Sequence, residues 1–452
     1  TLMKDTAWPA YNTSQFLALS AWRADLKREA GHDICARTLY GMPSTEQAVR
    51  WPVRTESGLY GEELPRFAVK AHEKKFRRSW GSLRFMERAT LLREYVNVYI
   101  TGENGIVVDK ECRYYELAPE QRMVPLHYQL PSWHTLSSPP RAVLEVAVSA
   151  ASGYDPSGFY HFVVDTAVKL LAVQISMHDA SETPMPLLVP SLYDGGGVQP
   201  FMVEVIRMLE QIAGLTRWTL VEYSMPSPSG FRSQARAQNT SFVHVKRLIS
   251  VGWKQHKKDT REPYEILWFP PQAGLQELRS SVRRVMFPIR IPSNMLCLYL
   301  SRKQNAKGRT LKNEDRFINA LQTQVGAVPS WSVRVYPGES PQDPPLHEQV
   351  KLFSQAALVV GTHGAAFSNV LYMPEGRAVV EIVMQQASAI TGSYAHIAVS
   401  IKLLYFFVPA PDSFVYGSTS TIPVNHSELL SVVDLASAEV MSRQTPAFRH
   451  EL

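Results

Sequence analysis

Val360-Gly361-Thr362-His363-Gly364-Ala365-Ala366-Phe367-Ser368-Asn369 is the stretch from which the fold of this chain follows. An apolar run, Ala357 to Val360, enters it with the character of a β-strand, and small residues leave it as a short helix that Pro374 must end. The glycine turn between them delivers His363 to a helix N-terminus, where unbonded backbone N–H groups and the helix dipole attract a phosphate. Strand, glycine turn and helix point first to nucleotide-diphosphate chemistry on an α/β sheet.

The neighbouring sequence extends that pattern in both directions. Met295 to Leu300 reads as an apolar strand, and Asn313 can cap a helix carrying Phe317, Ile318 and Leu321. Ser332 to Tyr336 is the next strand, and a helix from about Leu346 presents Val350, Phe353 and Ala357. Ala378-Val379-Val380-Glu381-Ile382-Val383 is a buried strand, and Leu403 to Val408 another. This alternation is the signature of a parallel, Rossmann-like layer and predicts a C-terminal domain over 286–452.

Residues 1–285 form the other expected domain, joined near Pro263, Pro270 and Pro271. Gln272 to Met286 has Leu275, Leu278, Val282 and Val285 at helical spacing. Tyr95 to Ile100 and Gly105 to Val108 read as a hairpin around Gly102-Glu103-Asn104, and Ala142 to Val148 as a strand. A helix from near Ser157, a strand Met185 to Val189, a loop with Asp194-Gly195-Gly196-Gly197 and a helix Met202 to Ile212 continue an α/β order. The first 90 or so residues show no period and stay unassigned.

With 452 residues, 45% hydrophobic and 19% charged, the chain can fill two cores of ordinary size. A formal charge of +6 suits an anionic ligand such as a nucleotide sugar or an anionic lipid surface, or serves solubility alone. No apolar run reaches the roughly 18 residues of a membrane helix. The start at Thr1, without a signal peptide, leads us to expect a soluble portion of a longer chain, with any membrane anchor outside this sequence. Asn12-Thr13-Ser14, Asn239-Thr240-Ser241 and Asn425-His426-Ser427 are N-glycosylation patterns that suit a secretory-pathway lumen, the Golgi or endoplasmic reticulum. Cys297 lies in an apolar run and reads as a buried thiol, while Cys35 and Cys112 could pair in an oxidising compartment.

Several motifs then coincide. Leu298-Tyr299-Leu300-Ser301-Arg302-Lys303, Gly308-Arg309 and Asn313-Glu314-Asp315 precede Thr362-His363-Gly364-Ala365-Ala366 and the strand Ala378 to Ile382. Together they resemble the glycosyltransferase 61 family, as does the aromatic-aromatic-His motif Phe159-Tyr160-His161-Phe162 with Asp165. The resemblance implies an α/β fold of GT-B type, two Rossmann-like domains facing each other across a cleft. It also implies inverting transfer of a sugar from a UDP donor, with the donor bound by the C-terminal half and the acceptor by the N-terminal half.

The residue chemistry agrees with that expectation. Arg302, directly after a strand, can set a permanently charged fork against a diphosphate, with Arg309 as a weaker candidate. His363 can donate to a phosphate oxygen, and Gly364 and Ala365 let a nucleotide approach the backbone. Glu381 is the one charge in its strand and needs either a ribose or a partner from the protein. Asn313 and Asn369 complete the donor-side set. His161 and Asp165, four apart, share a helix face, and one of them can take the acceptor hydroxyl's proton.

No Asp-x-Asp pair occurs, so a metal-bridged diphosphate is not expected, and no cofactor beyond the UDP-sugar is. GxGxxG, GxxxxGK[ST], GxSxG and HExxH are absent too. The basic cluster Lys74, Lys75, Arg77 and Arg78 reads as a solvated face rather than a nucleic-acid site. The expectation is therefore a metal-independent glycosyltransferase moving N-acetylglucosamine or a pentose such as xylose to a hydroxyl of a glycan or glycoprotein. The alternative is a non-catalytic module of the same fold that binds a nucleotide or glycan.

Overall fold

The computed structural model describes residues 39–40, 44–52, 89–101, 106–109, 113–115, 140, 142–150, 159–177, 184–190, 198–212, 217–223, 243–253, 269–286, 295–303, 309–336, 344–383, 385–386, 389–390, 392–411 and 421–443. The basic cluster at 74–78, Cys35, Cys112, Gly308, the loop 194–197 and the glycosylation patterns at Asn12 and Asn239 lie outside them. Two compact units emerge, with the described residues up to 274 in the first and those from 275 in the second.

The first unit is built on strands β1 (Leu39–Tyr40), β2 (Thr45–Ala48), β3 (Thr90–Thr101), β4 (Ile106–Asp109), β5 (Arg113–Tyr115), β6 (Ala142–Ser149), β7 (Met185–Pro190), β8 (Trp218–Tyr223) and β9 (Val243–Trp253). They form a sheet ordered β1-β5-β4-β3-β9-β6-β7-β8, with β2 against β3. β3 and β4 are the expected antiparallel hairpin, with Tyr99 opposite Val108. β9, β6, β7 and β8 run parallel, and the order turns back at β6.

The helix after β6 begins at Phe159 and differs from a plain α-helix. Residues His161–Thr166 are a π-turn, continued by helix α1 (Ala167–Ser176). Such wider turns are rare and concentrate at functional sites. Thr166 anchors the turn to the end of β6, its hydroxyl donating to the Ala150 carbonyl at 3.2 Å. Helix α2 (Pro200–Glu210) follows β7, with Pro200 in its first turn, where a missing N–H costs nothing.

Helix α3 (Gln272–Met286) begins directly after Pro270-Pro271, and the division between units falls inside it, at 274, rather than at 285. The second unit holds β10 (Met295–Leu300), α4 (Glu314–Gly326), β11 (Trp331–Tyr336), α5 (Leu346–Ser354), β12 (Ala356–Thr362), β13 (Ala378–Val383), α6 (Ser393–Ser400), β16 (Leu404–Pro409) and α7 (His426–Ser442), with the small ribbon β14 (Gln385–Gln386) and β15 (Ala389–Ile390). Its five-stranded sheet is parallel throughout, in the order β11-β10-β12-β13-β16. The core between sheet and helices takes Cys297, Tyr299, Phe317, Leu321, Val360, Phe406 and Val433.

The short helix expected after the turn is a 3-10 helix, Ala365–Tyr372, which ends before Pro374. One local expectation gives way here. Asn313 stands at the start of α4 in the left-handed region, φ 57°, and its side chain makes no capping bond. Asparagine tolerates that conformation, and Glu314 and Asp315 in the first turn complement the helix dipole instead. Asn425 does cap, its side-chain oxygen accepting from the backbone N–H groups of Ser427 and Glu428 at the start of α7.

Candidate functional site

In chain order the strands of the second unit lie 2-1-3-4-5, so the order reverses between β10 and β12. Ligands of open α/β sheets sit beyond the carboxyl ends of the strands at such a reversal. Arg302 leaves β10 and His363 leaves β12 at that point, and both are buried, at 3% and 8% exposure. Gly361 makes the approach possible: a Cβ there would lie 2.8 Å from Leu300 Cβ, closer than packing tolerates.

His363 is held from several sides. Its backbone N–H donates to the Ile382 carbonyl at 2.9 Å, so that group serves the sheet and not a phosphate. Its carbonyl accepts from Arg309 Nη1 at 3.2 Å, and Thr362 Oγ1 donates to the Arg309 carbonyl at 2.9 Å. Arg309 itself has φ 70°, a strained conformation for a side chain of its size. Its backbone and guanidinium therefore brace the turn.

The His363 ring is fixed by Glu381 of β13. Nδ1 lies 2.5 Å from Glu381 Oε1, and the Tyr405 hydroxyl of β16 donates to Oε2 at 2.6 Å. A carboxylate only accepts, so His363 Nδ1 carries the proton and its tautomer is set. Burial and the adjacent Glu381 charge push the Tyr405 phenol well above its ordinary range, which keeps it a donor. Glu381 is fully buried and takes protein partners, a histidine and a tyrosine, on both oxygens. The Tyr394 ring packs 5.0 Å from His363 on its other side.

A second buried acid fixes the end of β10. Glu314 Oε1 accepts from the Tyr299 hydroxyl at 2.8 Å and Oε2 from Ser301 Oγ at 2.9 Å. The bond ties the first turn of α4 to the residue before Arg302, whose carbonyl also accepts from Thr310 at 3.2 Å. Sequence reasoning left Tyr299, Ser301, Glu314, Tyr394 and Tyr405 out of the site. Tyr299 and Ser301 were findable, as polar tips two apart at the end of an apolar strand.

The other donor-side candidates are placed differently. Gly364 is extended, φ 179°, and Ala365 opens the 3-10 helix. Asn369 is wholly buried, with Nδ2 donating to Gln349 of α5 at 2.8 Å, so its amide joins two elements. Asn313 is exposed at the start of α4.

In the first unit His161 and Asp165 meet in the π-turn, Nδ1 to Oδ2 at 2.9 Å. Asp165 is 1% exposed, and its Oδ1 has no hydrogen-bond partner among the described residues. Burial pushes the Asp165 carboxyl above its ordinary value, while the His161 bond and the charges of His161 and Lys169 pull the other way. His161 reaches the rim with 15% of its side chain exposed. Among the described residues no group of three His, Cys, Asp or Glu side chains is arranged to hold a metal ion.

The family model "Glycosyltransferase 61" matches residues 159–380. That span begins two residues before His161 and ends one before Glu381, so it takes in the π-turn, Arg302 and His363. The solved structure of the E. coli heptosyltransferase WaaC with ADP aligns over 66% of this chain and 99% of its own, at 10% identity and a TM-score of 0.28. No curated protein matches the sequence.

Proposed function

With a glycosyltransferase 61 segment over residues 159–380 as the premise, we propose that this protein transfers a sugar from a UDP donor to a hydroxyl of a glycan or glycoprotein, with inversion. The position of Arg302 and His363, at the carboxyl ends of the two strands between which the sheet order reverses, carries this reading. Arg302 neutralises the departing diphosphate, and His363, its Nδ1 engaged by Glu381, presents Nε2 to a phosphate oxygen or the sugar. Arg309 and Glu314 hold those two residues in place.

His161 is the base. Asp165 accepts from Nδ1, and Nε2 takes the acceptor hydroxyl's proton as the new glycosidic bond forms. The imidazolium that results is stabilised by the carboxylate. In this reading the donor binds the second unit and the acceptor the first. N-acetylglucosamine or a pentose such as xylose is the sugar, and the secretory lumen the setting, on the glycosylation patterns of which Asn425 is exposed.

A panel of UDP-sugars with mixed glycan acceptors, read as UDP release, tests the proposal. Turnover with one donor is the expected result. Binding of UDP without turnover across the panel would favour a recognition module instead, and absence of UDP binding in calorimetry would sink the reading.

A further inference from the structure

Lys169 is 2% exposed, which is unusual for a residue whose ammonium is so strongly hydrated. It lies one helical step beyond Asp165, as Asp165 lies one step beyond His161, so the three share one face of a continuous helix. An α-helix drifts off a four-residue repeat, and the wider π-turn at His161–Thr166 drifts the other way. The ladder therefore runs nearly straight, from His161 at the rim through Asp165 to Lys169 at depth. The Lys169 ammonium sits over the Trp253 ring of β9, 5.8 Å from its centroid.

We propose that Lys169 is a positioning residue for the His161–Asp165 pair, a fixed countercharge that holds Asp165 as a carboxylate while His161 gains and loses a proton. Burying a carboxylate with one oxygen unbonded among the described residues favours the neutral acid, and a neutral acid does not stabilise an imidazolium. His161 alone does not secure the carboxylate, because its own charge comes and goes with the reaction. A lysine held by an indole face supplies a positive charge that stays. The charge of Lys169 acts on Asp165 in the direction required.

Within the first unit, the charged groups of α2 and of the neighbouring strands are turned or bonded elsewhere among the described residues. α2 turns Met202, Val205, Ile206, Met208 and Leu209 inward and keeps Glu204, Arg207 and Glu210 off that stripe. On the sheet face that carries Trp253, the nearby charged pair, Glu94 and Arg247, is bonded to itself. Arg93, on the opposite face of β3, pairs with Glu46.

The inference rests on the transferase reading only for its consequence, so the test is made on the titration itself. In full-length protein carrying 13C-carboxyl aspartate, with the Asp165 signal assigned through Asp165→Asn, we expect Lys169→Met and Lys169→Gln to move the Asp165 midpoint to higher pH, and Lys169→Arg to leave it in place. The acid limb of kcat/KM should move with it and return in Lys169→Arg. An unmoved Asp165 midpoint in the Met or Gln variant overturns the proposal. In the unsubstituted protein, 15N-lysine spectra should report Lys169 as an ammonium at neutral pH; a neutral amine there overturns it without any variant. A shifted Asp165 midpoint in a protein that transfers no sugar leaves the countercharge standing and removes the transferase reading.

Discussion

Buried acids are treated in opposite ways in the two units. In the second unit, Glu381 has His363 and Tyr405 on its two oxygens, and Glu314 has Tyr299 and Ser301. In the first, Asp165 has His161 on one oxygen and, among the described residues, no hydrogen bond to the other. A fully bonded carboxylate resists change, because removing any partner strands a charge in the interior. A half-bonded one sits closer to its neutral form and responds to the charge beside it. The contrast separates the two sites: in the second unit the protein's own donors hold both oxygens of each acid, and in the first the acid depends on the charges beside it.

The contrast can be broken, and the largest effect is expected at the residue proposed as the base. His161→Ala should lower transfer by roughly 1000-fold while UDP affinity in calorimetry is kept. A parallel loss of UDP binding would mean that His161 has a structural role instead. Arg302→Ala should lower turnover by about 100-fold, measured as UDP release at saturating acceptor. An unchanged rate removes Arg302 from the reaction.

Smaller effects sharpen the contrast. Glu381→Ala strands the Tyr405 hydroxyl and unpins His363, and should cost about 3 kcal/mol in denaturant unfolding. Tyr299→Phe removes one donor from Glu314 and should cost about 2 kcal/mol by the same measurement, with turnover lowered less than in Arg302→Ala.

For Asp165 the sign is opposite to that of a stabilising acid. Its folded value lies above the unfolded one, so the folded state binds that proton more tightly. Its contribution to stability is therefore fullest at low pH and declines as pH rises from the unfolded value through the folded one. Activity, which in the proposed mechanism needs the carboxylate, should run the other way and fall with decreasing pH above the range where an ordinary aspartate titrates. A pH–rate profile whose acid limb lies in the ordinary carboxylate range would contradict that.

The local reading of the sequence served well where one feature dominated. Val360 to His363 had to be strand and turn, since a run of branched apolar residues meets glycine, and the structure places both there. The strands around Met295, Ala378 and Leu404 were legible for the same reason. Asn313 misled because asparagine suits both a cap and a left-handed turn, and only neighbouring chain selects between them. The π-turn left no trace in the sequence, since the spacing of His161 and Asp165 fits either kind of helix.

By itself, then, the sequence determined the α/β class, the strand ends that carry Arg302 and His363, and the one-face spacing of His161 and Asp165, because each depends on residues within a few positions. Strand order and partners were decided in three dimensions. Nothing local says that β10 and β12 are neighbours with the reversal between them, or that Glu381, anticipated with either a ribose or a protein partner, meets Tyr405 from another strand. Those pairings depend on which distant segments exclude water from one another, and a buried charge takes whatever donors that packing brings within reach.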